Sequence, residues 1–195
     1  MNALGQRIAR LIEAQGPISI AQFMTVALHD PVSGYYATRD PFGGKGDFIT
    51  APEISQMFGE LLGLWIAQCW HDQKRPRARL VELGPGRGTL MNDALRVIQQ
   101  LMPEFLTKVE IVLIEASPAL TGVQKKTLAA SGAKISWAVQ FDDALGDLPF
   151  FLLANEFFDA LPIRQFVKTA RGWCERMVVL NADGALDFAL APEAV

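Results

Sequence analysis

Hydrophobic residues at the start of the chain recur at helical spacing. Apolar positions three or four residues apart between Leu4 and Ile12 predict an amphipathic helix that ends at Gly16-Pro17. Ser19 is suited to cap a second helix, which we expect to run to about Leu28. The pattern therefore predicts a helical N-terminal segment.

A loop rich in glycine and proline interrupts this helical pattern. Residues 35–49 contain Pro41 and several glycines, and such a loop is flexible enough to act as a lid over a site. After it, Thr50 and Glu53 have the spacing of a capping box. The apolar positions that follow predict one helix to about Trp70, with Ile54, Phe58, Leu61, Leu62, Trp65 and Cys69 along one face.

From Leu80 the pattern changes to short apolar runs separated by helical segments. The predicted strands are residues 80–83, 109–114, 134–139 and 150–154, and the predicted helices between them are residues 89–101 and 118–130. Strands that alternate with helices of this length indicate a parallel, doubly wound α/β sheet with right-handed crossovers.

Beyond Pro162 the hydrophobic period becomes two. Apolar alternation in residues 163–169, 173–180 and 186–190, with glycine-containing turns between them, predicts a small antiparallel β-meander. We therefore divide the chain into a helical segment with the lid loop at 1–78, an α/β core at 79–161 and a meander at 162–195.

Composition limits the class of protein. Of the 195 residues 50% are hydrophobic and only 20% are charged, and the mean hydropathy is +0.19, which excludes intrinsic disorder. No apolar run approaches the length of about 18 to 20 residues that a membrane-spanning helix needs. The apolar residues must be buried in a core or against something that this chain does not contain.

Charge and cysteine content point away from several kinds of site. The net charge is −3 and no basic stripe is visible, so we expect no nucleic-acid partner. Cys69 and Cys174 are far apart and are expected to be reduced thiols, and two isolated histidines do not predict a metal site. Without the pattern of a signal peptide at the N-terminus, we expect a cytoplasmic location.

The sharpest local motif lies between the first predicted core strand and its helix. It runs from Glu82 through Gly84, Pro85 and Gly86 to Gly88, and its glycines let a ligand approach the backbone closely. It is neither a dinucleotide fingerprint nor a P-loop. The acid at Glu82 suits a cationic ligand, such as the sulfonium and amino group of S-adenosylmethionine, and the pattern resembles the first motif of methyltransferases that use it. The alternative is a tight strand–helix turn without a ligand.

Further polar residues follow the other predicted strands. Glu115 can accept hydrogen bonds from both hydroxyls of a ribose, or it is simply a neighbour of a helix cap at Ser117. Phe141 is placed to pack on an adenine ring and Asp142 to meet its amino group, although a solvated loop is an equal alternative.

Asn155, Glu156 and Asp159 follow the fourth predicted strand. Because buried polar groups must be satisfied, such a cluster is either a hydrogen-bond network or a site. The alternative is that Asn155 caps a helix.

Two longer stretches carry a family resemblance. They are Gly34-Tyr-Tyr with the run from Gly46 to Glu60, and the run from Leu153 to Ile163. Together with the glycine-rich turn, they resemble the MidA-like family of class I S-adenosylmethionine-dependent methyltransferases, which includes a mitochondrial complex I assembly factor that is a protein arginine methyltransferase.

The resemblance implies a fold and a set of site residues. It implies a Rossmann-like methyltransferase core that binds S-adenosylmethionine at Gly84, Gly86 and Glu115. It also implies that the 47–53 segment, including Thr50, and residues 155–159 help to close the site.

The implied activity is methylation of a protein arginine side chain in the assembly of a respiratory or other complex. Paired acids could orient a guanidinium, so Glu156 and Asp159 are our candidate catalytic residues, with Asn155 as an orienting group. One alternative is a catalytically weak assembly factor that binds S-adenosylmethionine and holds a partner protein. Another is a nucleotide-binding or purely structural α/β protein.

Members of the family continue well beyond the point where this chain stops. We therefore expect an incomplete parallel sheet that lacks its last three strands, and weak or no catalysis by this chain alone. An exposed apolar strand at the edge of such a sheet favours self-association, including a homo-oligomer.

Overall fold

The computed structural model describes residues 2–30, 32–35, 50–144 and 146–195. Nearly all of the predicted lid loop lies outside the described residues, so its role stays a prediction. The backbone divides into two units, one formed by residues 1–41 and 159–195 and the other by residues 42–158. The three-part division made from the sequence likewise stays a prediction.

The helices and strands follow in chain order. They are α1 (Ala3–Gln15), β1 (Ile18–Ser19), α2 (Ile20–His29), α3 (Ala51–Ile54), α4 (Gln56–Asp72), β2 (Ala78–Leu83), α5 (Thr89–Leu101), α6 (Glu104–Lys108), β3 (Val109–Ile114), α7 (Pro118–Thr127), β4 (Ile135–Ala138), α8 (Phe141–Ala144), β5 (Phe150–Leu153), β6 (Phe166–Thr169), β7 (Gly172–Leu180) and β8 (Leu186–Ala194).

A parallel sheet forms the centre of the 42–158 unit. Its strand order is β4-β3-β2-β5, and every neighbouring pair is parallel. The two inner strands β2 and β3 are almost continuously buried, which explains why both are mostly apolar and lack a regular alternation of polar and apolar residues. The predicted parallel α/β sheet is confirmed.

The two faces of this sheet pack into separate apolar clusters. Leu80 belongs to the larger cluster, which also contains residues of α4 and α5 such as Trp70 and Leu95. Val81 points to the opposite face and packs in a smaller cluster with Val112. Successive side chains of β2 therefore enter opposite faces, and the face that Leu80 occupies is also the face of Glu82.

The helix expected from Thr50 to Trp70 differs from the prediction in two ways. It breaks at Ser55, whose backbone is extended and whose hydroxyl caps α4 by accepting a hydrogen bond from the Met57 N–H. The apolar face expected from the sequence is only partly buried, because Phe58 and Leu62 pack against the larger apolar cluster whereas Ile54, Leu61 and Trp65 are exposed. The buried face is instead formed by Gly59, Gly63, Ile66, Ala67 and Trp70.

Small residues explain this choice of face. A Cβ on Gly63 would lie 2.7 Å from the Cα of Ala94, and one on Gly59 would lie 2.7 Å from the Cβ of Asp93. The glycines thus let α4 approach α5 more closely than larger side chains would. Although α4 is apolar, neither it nor any other helix within the described ranges is long and apolar enough to cross a membrane.

The other unit combines the N-terminal helices with the meander. Ser19 caps α2 in a complete capping box with Gln22, as its sequence position predicts. The predicted antiparallel meander is confirmed, with β7 paired to both β6 and β8. The sequence pattern did not reveal β1, which pairs Ile18 with Val178 and so joins the N-terminal segment to the meander.

The close contact between α4 and α5 predicts opposite effects for two glycine-to-alanine changes. In Gly63→Ala the new Cβ meets backbone atoms of Ala94, so we expect the free energy of unfolding to fall by about 1 to 3 kcal/mol. Gly122, within α7, has open space where a Cβ would lie. Gly122→Ala should therefore raise the free energy of unfolding by about 0.5 to 1 kcal/mol through helix propensity. Urea unfolding measures both values, and equal effects would contradict the packing argument.

Candidate functional site

The register of the parallel sheet brings three strand ends together. Glu82 pairs with Leu113 of β3 and with Leu153 of β5. Two residues further along each strand direction are Gly84, Glu115 and Asn155, so these three lie in one row at the carboxyl edge of the sheet.

The strand order also reverses direction at this point. β3 and β4 lie on one side of β2, whereas β5 lies on the other side. The crevice outside the carboxyl ends of strands at such a reversal is where open α/β sheets bind ligands. The candidate site therefore lies within one unit, around the end of β2.

The glycine-rich turn has a backbone that requires glycine. Gly84, Gly86 and Gly88 have φ values of 59°, 54° and 83°, in the left-handed region. A Cβ on Gly84 would lie 2.6 Å from the Cδ2 atom of Phe157. The turn is held by hydrogen bonds from the Gly84 N–H to the Ile114 carbonyl (3.1 Å) and from the Gly88 N–H to the Pro85 carbonyl (2.8 Å).

Glu82 is the most unusual polar residue of the site. Its side chain is buried, and its Oε2 atom has no hydrogen-bond partner among the described residues. Its strand neighbours Leu113 and Leu153 both belong to the larger apolar cluster. Burial among them raises the pKa of Glu82 to about 8, so the carboxyl group is mostly protonated at pH 7.

Glu115 is a better satisfied acid at the end of the neighbouring strand. Its Oε1 accepts a hydrogen bond from the Ser117 N–H at 2.8 Å, and its Oε2 accepts one from the Gln124 amide at 3.0 Å. Burial raises the pKa of Glu115, and these two hydrogen bonds partly oppose that rise. Ser117 also caps α7, so Glu115 is indeed a neighbour of a helix cap, as one reading of the sequence suggested. Its contacts in this role leave part of the carboxylate's acceptor capacity unused.

Gln124 is a residue that the sequence analysis did not identify. It is fully buried on α7, and its amide contacts both Glu115 and the carbonyl of Gly86. The available signal was its spacing of four residues from Leu120 and Leu128, which places it on the inner face of the helix.

The capping box predicted at Thr50 does not form. Thr50 is at the N-cap of α3, but its side chain makes no capping hydrogen bond. The carboxylate of Glu53 instead accepts a hydrogen bond at 2.7 Å from the hydroxyl of Thr89, the first residue of α5. Since α3 is a single turn, Glu53 serves to join it to the helix that follows the glycine-rich turn. A role for Thr50 in cofactor binding stays a prediction.

Phe141 and Asp142 begin α8, just after β4. The Phe141 ring packs edge-to-face on Phe150 with 5.8 Å between ring centroids, and it contacts the smaller apolar cluster. Asp142 is exposed. Their proposed contacts with adenine stay a prediction.

Asn155 and Glu156 follow β5 directly. Asn155 is half-buried and Glu156 is exposed, and Glu156 has a φ of 46°, which is rare for a residue other than glycine. No helix begins at Asn155, so the capping alternative was wrong. The next regular element is a 3₁₀ turn at Phe158–Ala160, which contains the exposed Asp159. Asp159 begins the part of the chain that belongs to the other unit.

The arrangement at the end of β2 is suited to a ligand that has both a positive charge and hydroxyl groups. Among the described residues the Oε2 atom of Glu82 lacks a hydrogen-bond partner, Glu115 retains acceptor capacity, and the turn exposes backbone where side chains are absent. Within the described residues there is no group of three or more histidine, cysteine or acidic side chains that could hold a metal ion.

Comparisons with known proteins identify relatives of the chain. Residues 61–195 match a family described as "Putative S-adenosyl-L-methionine-dependent methyltransferase". The chain is similar to "Protein arginine methyltransferase NDUFAF7, mitochondrial" of Mus musculus, with 43% identity over 93% of this chain and 47% of the relative. The protein of the same name from Homo sapiens is 42% identical over 94% of this chain and 47% of its own length.

A solved structure is also similar to this chain. The crystal structure of a COG1565 superfamily member from Burkholderia thailandensis bound to S-adenosyl-homocysteine matches with a TM-score of 0.79 and 32% identity. The match covers 99% of this chain and 50% of that one. The chain thus spans about half the length of the relatives that it matches.

One expectation from the sequence is overturned by these comparisons. The cytoplasmic location was wrong, because the curated relatives are named as mitochondrial proteins. The absence of a signal peptide does not distinguish between compartments that lie inside the cell, so it could not support that inference.

The buried acid predicts a stability that depends on pH. The pKa of Glu82 rises from an ordinary value of 4.5 to about 8 on folding, so between these values the folded state keeps a proton that the unfolded state has lost. Stability should therefore fall as pH rises through this window, by up to about 1.4 kcal/mol per pH unit. In Glu82→Gln this pH-dependent contribution disappears. The free energy of unfolding of the variant, relative to that of the wild type, should therefore increase from pH 5 to pH 8.5.

Urea unfolding at pH 5, 7 and 8.5 measures this difference. Asp147→Asn, at an exposed acid of the same unit, controls for the loss of one negative charge and should keep the wild-type slope. Parallel profiles for the wild type and Glu82→Gln would contradict the assignment.

Proposed function

Because this chain belongs to a family of S-adenosyl-L-methionine-dependent methyltransferases, we propose that its glycine-rich turn binds S-adenosylmethionine and that the protein methylates arginine side chains of a protein substrate. The names of the relatives support the arginine acceptor, since those proteins are protein arginine methyltransferases. The activity itself is proposed because the chain covers about half of their length.

The unpartnered carboxyl group of Glu82 is the observation that carries this proposal. A buried polar atom without a partner costs free energy, and such an atom at the end of the central strand calls for a ligand that supplies the missing interaction. S-adenosylmethionine carries a positively charged amino group and a sulfonium, which favour the ionised form of the acid, whereas a pyrophosphate offers no cation for it to pair with. The described residues therefore fit this cofactor better than a dinucleotide.

The remaining cofactor contacts are assigned by chemistry. Glu115 has unused acceptor capacity for the two ribose hydroxyls. Gly84, Pro85, Gly86 and Gly88 provide a turn whose backbone a ligand can approach. We assign Phe141 and Asp142 to the adenine end, and Thr50 to the segment that closes the site.

When it is bound, S-adenosylmethionine supplies an electrophilic methyl group on its sulfonium. The residues of the chain then have to bind the cofactor and the acceptor, align them and exclude water. Alignment of the reacting groups can lower the barrier by about 7 to 11 kcal/mol. Glu82 becomes charged as a cation approaches, because a positive neighbour favours the ionised form of an acid. Excluding water strengthens this attraction.

The acceptor side of the reaction is assigned to the residues that follow β5. A guanidinium stays protonated at neutral pH, so acids are needed to orient it and to concentrate its charge on the nitrogens away from the methyl donor. We assign Glu156 and Asp159 to this role, with Asn155 as the orienting group. The strained backbone of Glu156 supports the assignment, because strain of this kind collects at functional sites.

The edge strand of the sheet supports a proposed association surface. Phe150 and Leu152 of β5 are 45% and 42% exposed, although the strand is apolar. An edge strand with exposed apolar side chains is a template for pairing with another chain. We therefore retain self-association through β5, including a homo-oligomer, as part of the proposal.

Cofactor binding is tested first, by titration calorimetry with S-adenosylhomocysteine. We expect the chain to bind this ligand in preference to NAD. Glu115→Ala should weaken its binding about 10- to 100-fold, because hydrogen bonds to a charged acceptor are lost. Asp147→Asn serves as the control and should bind like the wild type. Equal affinity for NAD, or no binding of either ligand, would exclude the proposed cofactor site.

The acceptor side is tested by methyl transfer from tritiated S-adenosylmethionine to protein. In a full-length relative that carries the matching acids, changing both to amides should reduce transfer by at least about tenfold, because the guanidinium loses its charged partners. The affinity for S-adenosylhomocysteine should stay within about twofold. Unchanged transfer would remove Glu156 and Asp159 from the mechanism, without affecting the cofactor assignment.

A further inference from the structure

The amide of Gln124 is held by three hydrogen bonds inside the 42–158 unit. Its Nε2 atom donates to the Gly86 carbonyl at 2.8 Å and to Oε2 of Glu115 at 3.0 Å. Its Oε1 atom accepts from the indole N–H of Trp137 at 2.9 Å. Since the residue is fully buried, no water competes for these groups.

The chemistry of the partners fixes the orientation of this amide. The indole of Trp137 can only donate, whereas the Gly86 carbonyl can only accept. Oxygen must therefore face Trp137, and nitrogen must face Gly86 and Glu115. Flipping the amide would place an N–H group against the indole N–H and oxygen against two acceptors, so a single orientation is possible.

Gln124 thereby connects two parts of the site that come from different strands. Gly86 belongs to the turn after β2, and Glu115 follows β3. One N–H₂ group donates to both, which sets the spacing between the carbonyl of the turn and the carboxylate. Trp137 on β4 holds the amide from the opposite side. The backbone of Gln124 also packs close to the glycine-rich turn, since a Cβ on Gly88 would lie 3.6 Å from the Cα of Gln124.

The carboxylate of Glu115 is fixed from two sides by these contacts. Ser117 donates its backbone N–H to Oε1, and Gln124 donates to Oε2. A carboxylate offers about four acceptor positions, so acceptor capacity remains for other donors. With both oxygens anchored, these positions have defined directions, which is what recognition of two adjacent hydroxyls requires.

We propose that Gln124 is a positioning residue that holds Glu115 and the glycine-rich turn in the geometry needed to recognise the ribose of the cofactor. The proposal rests on the proposed function, because it assumes that Glu115 binds the ribose hydroxyls. Gln124 contacts neither hydroxyl itself and acts through the carboxylate. Its loss should therefore reduce discrimination for the ribose, in addition to reducing affinity.

The test compares S-adenosylhomocysteine with its 2′-deoxy analogue by titration calorimetry. The wild-type chain should prefer the hydroxylated ligand. Gln124→Met keeps the volume of the side chain but removes all three hydrogen bonds, and we expect about a tenfold loss of affinity for S-adenosylhomocysteine. The preference over the deoxy analogue should fall towards one, a change that general loosening of the fold would not produce selectively.

Two further variants complete the experiment. Gln100→Met changes an exposed glutamine of α5 and should retain wild-type affinity and preference. Trp137→Phe removes the hydrogen bond to Oε1 of Gln124 but leaves an aromatic ring in place and keeps both hydrogen bonds from Nε2, so it should cause a smaller loss in the same direction. This second variant also tests the proposal if Gln124→Met does not fold, as judged by circular dichroism and the urea midpoint.

The outcomes distinguish the role of Gln124 from the assignment of Glu115 to the ribose. If the wild type binds S-adenosylhomocysteine and prefers it to the deoxy analogue, but Gln124→Met and Trp137→Phe keep the full preference, the role of Gln124 is overturned while the cofactor site stands. If the wild type shows no binding or no preference, the ribose assignment of Glu115 fails, and the role of Gln124 fails with it.

Discussion

The pairing of β2 with a parallel neighbour on each side is the constraint on which the site depends. Glu82 is hydrogen-bonded into a register with Leu113 on one side and Leu153 on the other. Because β2 is in register with both neighbours, Gly84, Glu115 and Asn155 form a row at one edge of the sheet although they are far apart in the sequence. A shift of this register by one residue would turn Glu82 to the opposite face and break the row.

This constraint explains which features were predictable from the sequence. The bounds of α5 and β3 match the prediction, since both have strong local signals, one helical and one a buried apolar run. The glycine-rich turn was equally visible, because three closely spaced glycines after a strand have few other uses. The parallel pairing then placed Glu115 near that turn, as the alternation of strands and helices implied.

Other features depend on packing that no local pattern records. In α4 the apolar residues Leu61 and Trp65 lie on the solvent-exposed side, while Gly59 and Gly63 face the core, because close approach to α5 needs small residues there. Similarly, α7 buries Gln124 and leaves Val123 37% exposed. The hydrophobicity of the residues themselves does not mark Gly59, Gly63 or Gln124 as buried, since a buried amide is stable only when its partners come from elsewhere in the fold.

The two acids of the site show how burial divides similar residues into different roles. Glu115 receives hydrogen bonds from Ser117 and Gln124, which favour its ionised form against the effect of burial. Glu82 receives no hydrogen bond at Oε2 from the part of the chain that the structure describes, and burial among Leu113 and Leu153 raises its pKa to about 8. Folding alone would be better served by an apolar residue at position 82, which would pack in the same cluster without a desolvated carboxyl group. Local violations of this kind are expected where function requires them. A neutral acid that becomes charged when a cation arrives adds the new attraction only in the bound state, so the unliganded sheet does not have to bury a negative charge.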